Sequence, residues 1–352
     1  MNEELLDIIR KTAPGTQIRE GLDNVLNAGT GGLIVLSNDE AVLKLADGGF
    51  RINDDYSPAR IYELAKMDNA IVISDDLKTI VLANTQLLPD ATIITNETGS
   101  RHKTAERFAK QTKKLVVSIS QRRGIITLFK GDIRYVLQDN IVIQSKANQV
   151  IQTLEKYKKV FEAYIHNLDE YEFDDIVVLE NVLIAIQKAE MVLRMIPELE
   201  FIIAQLGNDG RLLDMQLKQI LGDTDDDEQL IIKDYLLKST KGKSDEVLKE
   251  IRELSSDDLL DSKNIASILG YDDTENPSDI EVEPKGYRML NKIPKMPSTI
   301  IDNLVKEFKN LNGLLDASIL QLDDVEGIGE VRAQKINQSL RRMKEQSLYI
   351  SR

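Results

Sequence analysis

Two stretches of the N-terminal half hold residues whose types and spacing suit chemistry on a nucleotide. In the first, Met67-Asp68-Asn69-Ala70 leads into the β-branched run Ile71-Val72-Ile73, which puts a carboxylate at the mouth of a strand. Such an Asp is either a turn residue or a ligand for a divalent cation. In the second, Glu97-Thr98-Gly99-Ser100-Arg101-His102-Lys103-Thr104 runs into a helix expected over 105–111. A Gly/Ser/Thr loop at a helix start, flanked by Arg101 and Lys103, is either a polyphosphate cradle or a capped helix with surface charges. Arg107, Arg122 and Arg123 extend the cationic cluster. The loop is not a Walker A sequence. A carboxylate for a metal plus cations for phosphates is the minimum set for nucleotidyl transfer.

A third stretch lies near the end of the chain. Gly327-Ile328-Gly329 predicts a tight hairpin between two helices, because glycine permits backbone angles and close approaches that side chains block. The second helix then opens with free N–H groups, which suit a phosphate. Val325, Ile328, Ala333 and Ile336 are placed to pack the helix pair, and Arg332 and Lys335 to face outward. The pattern resembles the helix-hairpin-helix motif, which holds the DNA backbone without reading bases. Gly327, Gly329, Arg332 and Lys335 are then the expected DNA contacts. Residues 290–308 resemble a degenerate first copy, with Ile293-Pro294-Lys295-Met296-Pro297 at the hairpin.

The elements that must position these residues follow from periodicity. Strands are expected at Leu33–Leu36, Ala70–Ile73, Thr79–Leu82, Leu115–Ile119 and Ile125–Phe129, with helices at Ser57–Met67 and Thr104–Thr112 between some of them. Asn27–Gly32 and Asp47-Gly48-Gly49 read as loops. From Lys146 the spacing of Val150, Leu154, Tyr157, Phe161, Ile165 and Leu168 predicts a long amphipathic helix, with more helices to about residue 282. Asp225-Asp226-Asp227-Glu228 reads as negative charge at a helix N-terminus rather than a metal loop. Residues 272–286, acidic with two prolines, read as an exposed linker. The fold class is therefore multidomain α/β plus α: a mixed-sheet domain over 1–145, a helical spacer over 146–285 and a helix-hairpin-helix tail over 286–352.

Composition narrows the function. The 352 residues carry a net charge of −14, which excludes a general nucleic-acid coat. Residues 286–352 alone carry +3, so DNA contact is expected there. Cysteine is absent and there are two histidines, His102 and His166, which removes disulfides, Cys nucleophiles and multi-His zinc sites within the chain. No apolar run approaches the ~20 residues of a membrane span, and the first residues lack a signal-peptide core, so no membrane partner and a cytoplasmic location are expected. No ligase Lys-x-Asp-Gly motif or carboxylate cluster for a two-metal nuclease is present.

Glu63–Asp68, Ala83–Asp90, Glu97–Arg107 and Ser120–Arg123 resemble the diadenylate cyclase domain. With the helical spacer and the hairpin tail, the order is similar to the family of DNA-integrity-scanning cyclases across essentially the whole chain. The resemblance implies condensation of two ATP into cyclic di-AMP with release of two pyrophosphates, using Mg²⁺ or Mn²⁺. It implies Asp68 as metal ligand, and Asp68, Arg101 and Lys103 as catalytic residues. Asn69, Leu87, Ser100, Arg101, His102, Lys103 and Thr104 are the implied ATP contacts. It also implies a homo-octamer with facing cyclase domains, and a tail that binds branched DNA such as a four-way junction in a DNA-damage or repair role. The family's DGA and RHR motifs read Asp68-Asn69-Ala70 and Arg101-His102-Lys103 here. Lys103 loses arginine's planar fork and Asn69 adds bulk. The alternative is a catalytically degenerate, nucleotide-sensing DNA scaffold.

Overall fold

The computed structural model describes residues 3–237, 244–271 and 276–350. The chain forms two compact units, Met1–Gln149 with Pro197–Gln216 and Val150–Ile196 with Leu217–Arg352.

The first unit is built on a mixed sheet of β1 (Gly32–Leu36), β2 (Ala46–Asp47), β3 (Phe50–Asp55), β4 (Ala70–Ile73), β5 (Thr79–Leu87), β6 (Val116–Ser120), β7 (Ile125–Lys130) and β8 (Ile133–Val136). The order is β2-β5-β4-β1-β6-β7-β8, with β3 also on β5. β1 and β4 run parallel, and the other pairs are antiparallel. β1 and β4 are buried throughout, which is why they read as unbroken apolar runs. Their alternate residues serve two cores. Ile34, Leu36, Ile71 and Ile73 pack with Leu22, Val25 and Ile61 from the helices Gln17–Asn27 and Pro58–Leu64. Leu33, Val35, Ala70 and Val72 pack with Ala105, Phe108 and Ala109 from the helix Ser100–Thr112.

Several elements depart from the sequence expectations, among them the unexpected strands β2, β3 and β8. β2 and β3 flank the Gly48-Gly49 turn. β3 escapes periodicity because Phe50 and Ile52 are followed by three polar residues, nearly all of the strand is exposed, and its pairing with β5 shifts register between Arg51 and Asp54. β5 continues to Leu87, well past the expected Leu82. The Ser100–Thr112 helix begins four residues before the expected start at Thr104 and five before the 105–111 helix, with Gly99 as its extended N-cap.

The second unit is helical. The helix Asn140–Asp174, 35 residues long, enters it at Val150. Its core joins Leu168, Val182, Leu183, Ile186, Ile231, Ile232, Ile251 and Ile265. Residues 276–286 are not the exposed linker expected. The Val282 N–H donates to Val177 O (3.0 Å) and the Leu179 N–H to Ile280 O (2.8 Å), and Val282 is buried in the same core. Two apolar residues at strand spacing, Ile280 and Val282, outweigh the acidic composition around them. Residues 272–275 of that expectation lie outside the described residues.

A buried ionic cluster anchors the chain where the tail begins. The Asp234 carboxylate accepts the N–H groups of Gly286 (2.8 Å), Tyr287 (2.7 Å) and Arg288 (3.0 Å). Arg288 is fully buried and pairs with Glu172 at 2.8 Å and with Asp169. Burial, reinforced by the Glu172 charge, pushes the Asp234 carboxyl up to about 7. No helix among the described residues is long and apolar enough to cross a membrane.

Candidate active site and nucleic-acid interface

A cavity of about 530 Å³ opens beside the N-terminal end of β1, the C-terminal ends of β5 and β6, and the start of the Ser100–Thr112 helix. It is lined by Asp68, Asn69, Leu87, Ser100, Arg101, His102 and Thr104, so seven of the residues singled out from the sequence converge. Leu33, Ala70, Thr85, Gln86, Gly99, Ile119, Ser120, Gln121 and Arg122 complete the wall.

Helical geometry explains which cations face in. At 100° per residue, Ser100, Arg101 and Thr104 share a face toward the cavity, and Lys103 turns away from the sheet. Lys103 is exposed and outside the lining. The rest of the expected cluster divides. Arg122 lines the cavity, Arg107 donates to Ile93 O (2.9 Å), and Arg123 donates to Thr98 Oγ1 (3.4 Å). The expected phosphate loop is thus a helical first turn. Its N-cap Gly99 has no side chain to satisfy the first N–H groups, which leaves them as donors for an anion.

Arg101 bridges the two stretches. Its Nη2 lies 3.4 Å from Asp68 O and 3.8 Å from Asp68 Oδ1. It crosses Gly31, where a Cβ would lie 1.9 Å from its Nη1. In the sequence Gly31 is legible only as part of a turn-rich run. Asp68 and Asn69 are exposed at the cavity mouth. Asn69 does not take the positive φ that glycine would permit, and its Nδ2 donates to Asn84 O at 3.5 Å.

His102 differs from its neighbours. It is 7% exposed, its Nδ1 is 3.1 Å from Ser118 Oγ, and its ring meets Phe129 edge-on at 6.2 Å. Burial holds its pKa below the ordinary histidine value, aided by Arg123, Arg134 and Arg101 and opposed by Glu97. It is a neutral anchor between helix and sheet, and its Nε2 has no hydrogen-bond partner among the described residues. Ser118 carries no signal in the sequence beyond membership of a strand.

A metal at this cavity has one carboxylate available. Among the described residues, no group of three or more His, Cys, Asp or Glu gathers to hold an ion. Asp68, exposed at the cavity mouth, fits an Mg²⁺-like ion that takes one carboxylate and completes its shell with water and substrate phosphate.

The tail holds two hairpins with one backbone pattern. Gly329 O accepts the N–H groups of Arg332 and Ala333, and Pro297 O those of Ile300 and Ile301. Gly327 and Lys295 occupy matching positions, with φ of 87° and 64°. The copies brace each other reciprocally. Lys335 Nζ donates to Pro294 O (2.8 Å), and Asn303 Nδ2, at the matching place, donates to Glu326 O (3.1 Å). Arg332 folds onto Gly327 O and stays exposed. A Cβ at Gly329 would meet nothing within 4 Å, so packing within the chain does not require glycine there.

Two family descriptions match the chain. Residues 19–133 match "DisA bacterial checkpoint controller nucleotide-binding" and residues 137–277 match "DisA bacterial checkpoint controller linker region". The DNA integrity scanning protein DisA of Acetivibrio thermocellus is 52% identical over 351 residues, 100% of this chain and 97% of that one. The chain belongs to the DisA family. The DisA of Clostridium kluyveri is also 52% identical, over 98% of this chain and 96% of its own. Among solved structures, a double mutant of DacA from Staphylococcus aureus is similar at 19% identity, covering 42% of this chain and 95% of that one with a TM-score of 0.30. The mixed-sheet unit thus holds the DisA nucleotide-binding domain, and the DisA linker region comes after it in the chain.

Proposed function

We propose that the chain is a diadenylate cyclase that condenses two ATP into cyclic di-AMP and two pyrophosphates, with a tail that responds to branched or damaged DNA. The observation that carries the reading is the convergence of Asp68, Arg101 and the uncapped first turn at Ser100 on one cavity in a DisA-family nucleotide-binding domain. In each half-reaction a ribose 3′-oxygen forms a bond to the α-phosphorus of the other ATP. The bond from that phosphorus to pyrophosphate breaks, pyrophosphate leaves, and the 3′-hydroxyl proton passes to solvent water.

Residues of this chain would bind and orient. The N–H groups at the start of the Ser100–Thr112 helix and the Arg101 guanidinium receive phosphate oxygens, with the Ser100 and Thr104 hydroxyls beside them. Leu87, Asn69 and Leu33 offer contacts for the nucleoside. His102, neutral and tied to Ser118, holds the first turn in place. Mg²⁺ or Mn²⁺ at Asp68 would neutralise charge developing on the phosphates. Catalysis is then positioning and electrostatics, as for phosphoryl transfer generally. Lys103, outside the cavity, would act only at the rim. One cavity holds one ATP, so two chains must face each other, as in the expected octamer.

At the other end, Gly327, Gly329, Arg332 and Lys335 would meet the DNA backbone. The open space at Gly329 supports close approach of an outside group. The working division is cyclase over 1–145, spacer over 146–285 and tail over 286–352, in a cytoplasmic protein. The test is incubation with ATP and Mg²⁺ or Mn²⁺, with cyclic di-AMP read by chromatography, with and without a four-way junction. Product that changes with the junction is expected. ATP binding without product under either metal would leave a nucleotide-sensing scaffold.

A further inference from the structure

A second cavity, of about 580 Å³, lies in the second unit. It is walled by Lys233 and Leu236 at the end of the helix Thr224–Tyr235, by Ser244 and Asp245, by Lys285 and Tyr287, and by Asp302, Val305, Lys306 and Lys309. Four lysines therefore face two carboxylates. Asp302 lies beside Tyr287, whose hydroxyl is held above the ordinary tyrosine value by burial and then by the Asp302 charge, and Asp245 is the other acid in the wall. Lys285 Nζ donates to Lys233 O and Leu236 O, so it serves the end of its neighbouring helix. Lys233, Lys306 and Lys309 make no side-chain hydrogen bond or ion pair among the described residues.

The chain has 59 acidic residues for 45 basic ones, so unpaired lysines do not reflect a shortage of partners. Three ammonium groups around one concavity repel each other and focus a positive potential that an anion relieves. Lys309 is also held at φ 68°, a conformation that L side chains rarely adopt. The volume is close to that of the cavity proposed for ATP in the first unit. Lysine is a flexible point-charge donor suited to phosphate oxygens. The lysine pair at 306 and 309 lies at the far end of its helix from the Pro294–Pro297 hairpin. A small ligand fits that place better than the DNA strand proposed at the hairpins.

We propose that this cavity binds a nucleotide-sized polyphosphate, as a site separate from the one at Asp68 and Arg101.

The test is isothermal titration of the full chain with inorganic triphosphate, in wild type, Lys306→Gln/Lys309→Gln and Arg101→Ala. Wild type is expected to show two sites per chain. The double lysine variant should keep one and lose the other by about tenfold or more in affinity. Arg101→Ala should retain the site at the lysines, so failure of the cyclase reading would appear only in that variant. Unchanged stoichiometry and affinity in the lysine variant would overturn the proposal. So would loss of four-way-junction binding in that variant with triphosphate binding intact, since the lysines would then serve the DNA backbone. Thermal unfolding separates these outcomes from misfolding. Without ligand the lysine variant should melt no lower than wild type, and it alone should gain nothing from added triphosphate at the second site.

Discussion

Arg101 and Asp68, 33 positions apart in sequence, meet at the cavity mouth, with guanidinium Nη2 3.4 Å from the Asp68 carbonyl oxygen and 3.8 Å from its Oδ1. The contact has room because Gly31 has no side chain. Gly31→Ala would set a Cβ 1.9 Å from Arg101 Nη1. Its backbone φ is not positive, so the backbone conformation admits alanine, with Ile119 O at 3.3 Å from the new Cβ. We expect cyclic di-AMP formation to fall about a hundredfold, as displaced catalytic groups do, with a melting temperature near wild type. Full activity would show that Arg101 need not hold this position.

Asp68→Asn removes a charge from a fully exposed side chain and should leave the fold intact. Product formation should drop by at least about a hundredfold with either metal, while ATP still binds. Unchanged turnover would remove Asp68 from the metal role.

His102 gives the first unit a pH dependence. Its folded pKa lies below the ordinary value of 6.5, so between the two the unfolded chain binds the extra proton. Its contribution to stability is complete above about pH 6.5 and is lost as pH falls through the folded pKa. Ser118→Ala leaves His102 Nδ1 without its hydrogen-bond partner and should cost about 1–3 kcal/mol. Denaturant titrations at several pH values read both effects.

Arg288→Met leaves Glu172 buried with only the Tyr235 hydroxyl beside it (2.6 Å), while half-buried Asp169 keeps Lys292. We expect about 3–5 kcal/mol of destabilisation in the second unit, larger than for any exposed ion pair. Hydrogen exchange across 160–175 and 286–292 would localise it.

Lys295→Gly relieves a left-handed residue and should stabilise the tail by about 1 kcal/mol. If Lys295 meets a phosphate, the same change lowers the salt dependence of junction binding. Melting curves and binding at two salt concentrations check the two parts independently.

The sequence makes some of this legible and hides the rest for identifiable reasons. β4 stands where its four apolar residues place it, Ala70–Ile73, because a strand buried on both faces needs no partner pattern to be seen. β3 stays hidden because edge strands with solvent on most sides carry polar residues. The helix start at Ser100 reads late because its cap, Gly99, has no side-chain acceptor to announce it. That shift matters chemically, since it turns a loop of neighbouring residues into a helix on which Arg101 faces the cavity and Lys103 does not. Ser118 and Gly31 act through contacts distant in sequence, which no local pattern encodes. Packing of Ile280 and Val282 is likewise masked by the acids between and around them.

The matched hairpins of the tail differ at one atom that bears on any phosphate they meet. Where the second copy has the amide of Gly329, the first has Pro297, whose nitrogen carries no hydrogen. The reciprocal Lys335 and Asn303 braces make the pair symmetric in shape. If a duplex lies across both hairpins as proposed, the missing donor gives it a firm end and a loose end, and therefore a preferred direction.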